Sequence, residues 1–170
     1  MLSHFKMFAA YNSWANARLY EAASHLSDTE YRTSTGAFFG SLHATLNHIL
    51  VADRLWMKRF TGTGMAPSSL DAILYGEFET LAAARQNEDQ RIIDWIDTLD
   101  EAKLTGYFTY VPVTNPNPVT QRLAPALAHF FNHQTHHRGQ AHATLTALGK
   151  PSLALDLIYF QRTDDGKAYA

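Results

Sequence analysis

Apolar residues recur at intervals of three and four through four long stretches of this chain. That rhythm confines it to a fold in which amphipathic helices each bury one face. In the first stretch, from about Ser3 to His25, the stripe is Phe5, Phe8, Asn12, Ala15, Leu19, Ala22 and Leu26, with Asn12 as its odd member. The second starts near Ser41 and carries Leu42, Leu46, Ile49, Asp53, Trp56 and Phe60, so Asp53 interrupts an apolar face. A loop from Thr61 through Gly62 and Gly64 to Pro67 ends it. Ser68 with Asp71 forms a candidate capping box, which predicts a third helix reaching about Leu99 through Ile73, Leu74, Phe78, Leu81, Ile92 and Trp95. The fourth stripe is Leu123, Leu127, Phe130, Ala141, Leu145 and Leu148, with Thr120 as its expected cap and Gly149-Lys150-Pro151 as its stop.

The connections differ in character. Ser27-Asp28-Thr29-Glu30 reads as a capping box opening a short helical turn. From Thr105 to Thr120 the run Tyr107-Phe108-Thr109-Tyr110-Val111 is β-prone and Asn115-Pro116-Asn117-Pro118 is turn-forming, which predicts a small hairpin. The expected fold class is therefore all-α, a four-helix bundle with a small β-hairpin insertion before the last long helix. With 170 residues and no interdomain linker, residues 1–170 form a single domain.

Charge and composition exclude several functions. Fourteen Lys and Arg stand against 16 Asp and Glu, and the basic residues are scattered, so no nucleic-acid partner is expected. The N-terminal stretch is broken by Lys6, Asn12, Ser13, Asn16 and Arg18, and no apolar run is long enough to span a bilayer, which reads as a cytoplasmic protein with no membrane partner.

The segment from Asn132 to Gln140 sets His133, His136, His137 and Arg138 into the fourth helix. His133 and His137 are one helical turn apart on one face, near enough for both imidazoles to reach a single cation. The spacing equally suits two half-buried histidines bonded to neighbours, and His129 with His133 repeats it. On the helical wheel, His129 and His136 lie farther from the centre of the apolar stripe than His137, so the deeper pair is 133 with 137. In the second helix His43 lies off the stripe, whereas His48 falls within its apolar arc beside Ala52 and Trp56, making His48 the choice for a third ligand. His4, His25 and His142 read as solvated. With no cysteine, any transition metal must be held by nitrogen and oxygen, which favours zinc, nickel, iron or copper. No Glu has a His three residues later, as carboxylate-bridged di-iron bundles require, and His-Glu-x-x-His, Gly-x-Ser-x-Gly and phosphate-loop patterns are absent.

Three segments together, Tyr11-Asn12-Ser13-Trp14-Ala15-Asn16, Leu46 to Trp56, and His133 to Gln140, resemble the DinB/YfiT-like family across nearly the whole chain. The resemblance implies helices in up-down-down-up order, a homodimer, and one divalent metal on His48, His133 and His137, the same set that helical phase selects. It also implies chemistry on a small-molecule substrate: relatives include thiol-dependent S-transferases and a thiol-dependent isomerase.

A three-imidazole site leaves a position open for water or a thiol, the pattern of catalytic rather than structural zinc. The expected protein is thus a transferase or hydrolase using zinc first, nickel or iron next, with a low-molecular-weight thiol as co-substrate. The competing expectation is a non-catalytic dimeric metal-binding module or a sensor. Around the ligands, Asp53 and Gln140 are candidates to orient the rings or to hydrogen-bond substrate. Asn12 and Asn16 are candidates to line the cavity, and Arg138 to bind a substrate carboxylate, each against the alternative of an ordinary packing or ion-pairing role. Trp14 and Trp56 read as core or as pocket walls.

Overall fold

A computed structural model describes residues 1–113 and 115–170. Four long helices carry the fold: α1 (Leu2–Ser24), α3 (Leu42–Thr61), α4 (Phe78–Asp97) and α6 (Leu123–Ala147). Short helices α2 (Asp28–Arg32), α5 (Glu101–Thr105) and α7 (Leu157–Phe160) fill the connections. Strands β1 (Tyr107–Tyr110) and β2 (Val119–Arg122) form an antiparallel hairpin before α6, pairing Tyr107 with Arg122 and Tyr110 with Val119. The all-α bundle with its hairpin insertion is therefore present.

Side-chain pairs fix the helix directions. Phe5 meets Phe131 and Asn12 meets Arg138, so α1 and α6 run parallel. Asp53 meets Arg85 and Phe60 meets Trp95, so α3 and α4 are parallel. His48 against His137 and Asp53 against Gln134 set α3 antiparallel to α6. The order is up-down-down-up, with each long helix flanked by two others: α1 by α4 and α6, and α3 by the same two.

Local chemistry explains where the helices end. Ser27 and Glu30 form a reciprocal capping box at α2. At α3 the Ser41 hydroxyl accepts from Ala44 N–H, and Gly62 closes the helix with a left-handed φ of 73°. Two sequence expectations fail. The third long helix does not start at Ser68 but at Phe78, because the chain before it is held by α3: Asn47 Oδ1 accepts from the N–H groups of Leu74 and Tyr75. Those main-chain donors are spent across the bundle, and Ser69 and Asp71 bond to each other rather than to a helix start. Thr120 does not cap α6; it sits in β2, its hydroxyl 2.7 Å from that of Thr109, and α6 starts after Arg122.

The interior is layered. One apolar cluster gathers Leu19, Leu46, Leu50, Leu81 and Leu145, and another gathers Phe5, Met57, Ile92, Leu127 and Phe130. Between them lies a buried polar layer of Asn12, Asn16, Asp53, Arg85, Asp89, Gln134 and Arg138. Arg85 pairs with Asp53 and, at 2.9 Å, with Asp89; both Asn amides donate to Asp89, and Gln134 donates to Asp53 at 2.7 Å. Charges this deep persist only when paired and hydrogen-bonded, and this layer supplies both. Among the described residues, no helix is long and apolar enough to cross a membrane.

Candidate metal centre

The antiparallel pairing of α3 and α6 brings His48 on one helix to His133 and His137 on the other. His137 Nε2 stands 3.1 Å from His133 Nε2 and 3.3 Å from His48 Nε2. One ligand nitrogen from each of the three lies within 4.8 Å of the others, so this group could hold a metal ion. Two nitrogens bound to one tetrahedral ion at about 2.0–2.1 Å stand about 3.3–3.4 Å apart, which matches this spacing.

Hydrogen bonds at the far side of two of the rings, His48 and His137, decide which of their nitrogens are available. His48 Nδ1 lies 2.7 Å from the Leu70 carbonyl, an acceptor only, so Nδ1 carries the proton and Nε2 presents a lone pair. His137 Nδ1 lies 2.8 Å from Gln140 Oε1, while the Gln140 amide nitrogen faces His136 Nε2 at 3.2 Å. That amide orientation makes Gln140 the acceptor, and it leaves His137 Nε2 as a second lone pair. Two lone pairs facing each other at 3.3 Å repel unless a cation lies between them. The site thus fits a divalent cation by spacing and by donor chemistry together.

Electrostatics point the same way. Burial, reinforced by the neighbouring His137 and His48, pushes the His133 imidazole down to about 3. Burial also pushes His137 down to about 4 against the opposing pull of its Gln140 bond, and it lowers His48 as well. All three rings are neutral at pH 7, the form that ligates. Phe39 stacks on His48 with ring centroids 3.9 Å apart and walls one side of the cluster.

Two cavities open on the triad. The larger, about 520 Å³, reaches from His48, His133 and His137 past Phe38 and Phe39 to Ser68 and Asp71. The smaller, about 200 Å³, reaches from His48 and His133 past Trp56 and His129 to Arg59.

The other residues singled out in the sequence are placed as follows. Gln140 touches the site directly, through His137. Asp53 lies in the polar layer, its two oxygens engaged by Arg85 and Gln134, and it touches none of the three rings. Asn12 and Asn16 bond Asp89 and Arg138 in the same layer and line neither cavity at the triad. Arg138 is 3% exposed and directs its guanidinium to Asn12, Asn16 and Thr135, away from solvent. His43 is tied to the Tyr75 carbonyl, His136 is exposed at the rim, and His142 accepts from Leu153 N–H to anchor the tail. Trp14 packs on Tyr11 and Phe160, whereas Trp56 lines the smaller cavity.

Sequence reasoning overlooked three parts of the site. Leu70 contributes a main-chain carbonyl, for which no side chain signals. Phe39 comes from a turn-rich loop with no periodicity to read. Asn47 did leave a signal, an uncharged polar residue beside His48 in an otherwise apolar stretch, and its side chain is what holds the 70–75 segment in place.

An up-down-down-up bundle that gathers three histidines from two antiparallel helices defines a class of helical-bundle proteins with a group that could hold a metal ion. The chain belongs to the DinB family, whose model matches residues 1–167. Among curated proteins it is similar to Protein DinB of Bacillus subtilis (strain 168), at 25% identity over 96% of this chain and 97% of that one.

Proposed function

We propose that this protein is a metal-dependent enzyme acting on a small molecule, a thiol-dependent S-transferase or a hydrolase, with His48, His133 and His137 as the metal ligands. The observation that carries the reading is the convergence of three imidazole Nε2 atoms, two of them presenting lone pairs to each other, beside two cavities. A purely structural site is closed by protein ligands on every side, whereas this group supplies three and adjoins space for another molecule.

Zinc is the first expectation and nickel or iron the next; the ion would supply Lewis acidity that ionises a bound thiol or water at neutral pH. The chain's own residues do the rest. The Leu70 carbonyl and Gln140 hold the His48 and His137 rings in the tautomer that presents Nε2. Phe39 shields His48 from bulk water. The cavity beside it offers Ser68, Ser69 and Asp71 to a polar substrate group, against the apolar faces of Phe38, Phe39 and Val113. The homodimer belongs to the same proposal and is checked by sedimentation.

Metal analysis of the purified protein tests the ligand set. Stoichiometric metal is expected in the wild type and loss of it in both His48→Ala and His133→Ala; retention in both variants would rule out the triad. Catalysis is tested by screening low-molecular-weight thiols against electrophiles and activated esters with the zinc-loaded protein. Silence across the panel, together with a large fall in melting temperature on chelation, would assign the ion to a non-catalytic role.

A further inference from the structure

We propose that Arg59 is the anion-recognition residue of the smaller cavity beside the histidines, and that one reactant taken by this site carries a carboxylate positioned against it. The inference rests on the reading of the triad as a reactive centre and adds the chemical class of what it accepts.

Arg59 lies on α3 three turns beyond His48, so both project from one face, with Ala52 and Leu55 between them as the cavity floor. His129 and His133 of α6 form the opposite wall, and Leu70, Pro112 and Val113 complete it. The guanidinium packs into the corner of two inclined rings, its carbon 4.5 Å from the centroid of Trp56 and 4.5 Å from that of Tyr110, whose own centroids are 5.5 Å apart at 59°. Tyr110 comes from β1, so the hairpin insertion supplies one of these two rings.

Cation–π contact with two rings restricts the guanidinium without using its N–H donors. Among the described residues, no hydrogen-bond acceptor and no carboxylate within ion-pair distance meets Arg59. The other arginines near the bundle interior are spent: Arg54 on Glu88 and Tyr75, Arg85 on Asp53 and Asp89, Arg138 on Asn12 and Thr135. No carboxylate lines the smaller cavity, so the charge of Arg59 is not neutralised there.

An unpaired guanidinium packed on two rings, at the end of a cavity whose other end is the reactive centre, suits the fork geometry of a carboxylate. The cavity is about 200 Å³, under the usual range of about 300–1,000 Å³ for drug-sized ligands, so the group reaching Arg59 is short. The carboxylate can belong to the thiol or to its electrophilic partner.

Calorimetric titration of the zinc-loaded protein separates these sources with two matched pairs of probes: 3-mercaptopropionate against 2-mercaptoethanol, and succinate against succinamide. In at least one pair the carboxylate member is expected to bind about tenfold tighter, and the pair that shows the preference identifies the source. Arg59→Gln should abolish that preference and Arg59→Lys should keep part of it, with zinc content and melting temperature recorded for both. No preference in either pair, or a preference that survives Arg59→Gln, would overturn the proposal. Failure of the functional reading looks different: a carboxylate preference without turnover of any thiol and electrophile would remove the catalytic assignment and leave the anion site standing.

Discussion

Asn47 grips the main chain of Tyr75 from both sides. Its Oδ1 accepts from Tyr75 N–H at 3.0 Å, and its Nδ2 donates to the Tyr75 carbonyl at 3.2 Å. With a further bond from Leu74 N–H, this fully buried amide pins the segment whose Leu70 carbonyl orients His48. One residue thus connects the loop before α4 to the geometry of the neighbouring ligand.

Asn47→Ala removes those bonds and leaves buried main-chain groups without partners. A stability loss of about 2–4 kcal/mol is expected, measured by urea unfolding. Metal affinity should fall with it, since the Leu70 carbonyl loses its support. Unchanged unfolding would show that the 70–75 segment is held by other contacts.

Gln140→Ala addresses the ring orientation alone, because Gln140 is half-buried and carries little packing. Metal affinity is expected to drop about 10- to 100-fold with little change in melting temperature, read by competition against a chromophoric chelator. Equal affinity in the two proteins would mean that the His137 tautomer needs no partner.

The polar layer is centred on the pairing of Arg85 with Asp53 and Asp89. Asp53→Ala leaves Arg85, which is 2% exposed, with Asp89 as its one carboxylate partner and the Gln134 amide without its acceptor, and should cost about 2–4 kcal/mol, measured by denaturant titration. An effect under about 1 kcal/mol would place this pair with solvent-screened surface bridges.

Stability of the metal-free protein should depend on pH in a stated direction. His133 and His137 have folded values of about 3 and about 4, below the ordinary histidine value of 6.5, so the unfolded chain binds more protons than the folded one between those limits. From these two groups stability is therefore expected to fall as pH drops below about 6.5 and to level off above it, while Asp89, pushed up to about 6 by burial, acts in the opposite direction below that value. Thermal melts of chelator-treated protein across pH 4 to 8 check this, and the slope should flatten in a His133→Ala, His137→Ala double variant. A pH profile that is the same in the double variant as in the wild type would contradict it.

Much of the fold was legible because helices announce themselves through local periodicity. The stripes of Leu42, Leu46 and Ile49 and of Leu123, Leu127 and Phe130 are buried as their spacing predicts. Capping at Ser27 and Ser41 and the stop at Gly62 follow from side chains within one turn of the helix end. The start of α4 was misread because Ser68 and Asp71 satisfy a local capping pattern, while the decisive contact comes from Asn47, more than twenty residues earlier.

The candidate site divides along the same line. Spacing alone placed His133 over His137, and helical phase turned His48 inward. Asp53 and Asn12 also face inward, as their positions on the stripes require, with Asn16 beside them, whereas Arg138, a candidate for a surface ion pair, is buried. Which inward groups meet one another is a matter of height and direction in the bundle. Asp53 sits one to two turns along α3 from His48 and so meets Arg85 and Gln134 instead of the histidine rings.

The sequence by itself determined the helices, their buried faces and the residue types available for chemistry, because these depend on contacts within a few residues. Only the tertiary structure decided that α3 and α6 run antiparallel with His48 level with His137, that Leu70 and Gln140 fix the tautomers, and that Tyr110 closes on Arg59. Apart from the Gln140 bond, which lies within one turn of α6, those relations join residues distant along the chain. Periodicity carries no record of which helix lies opposite which, in what direction, or at what level.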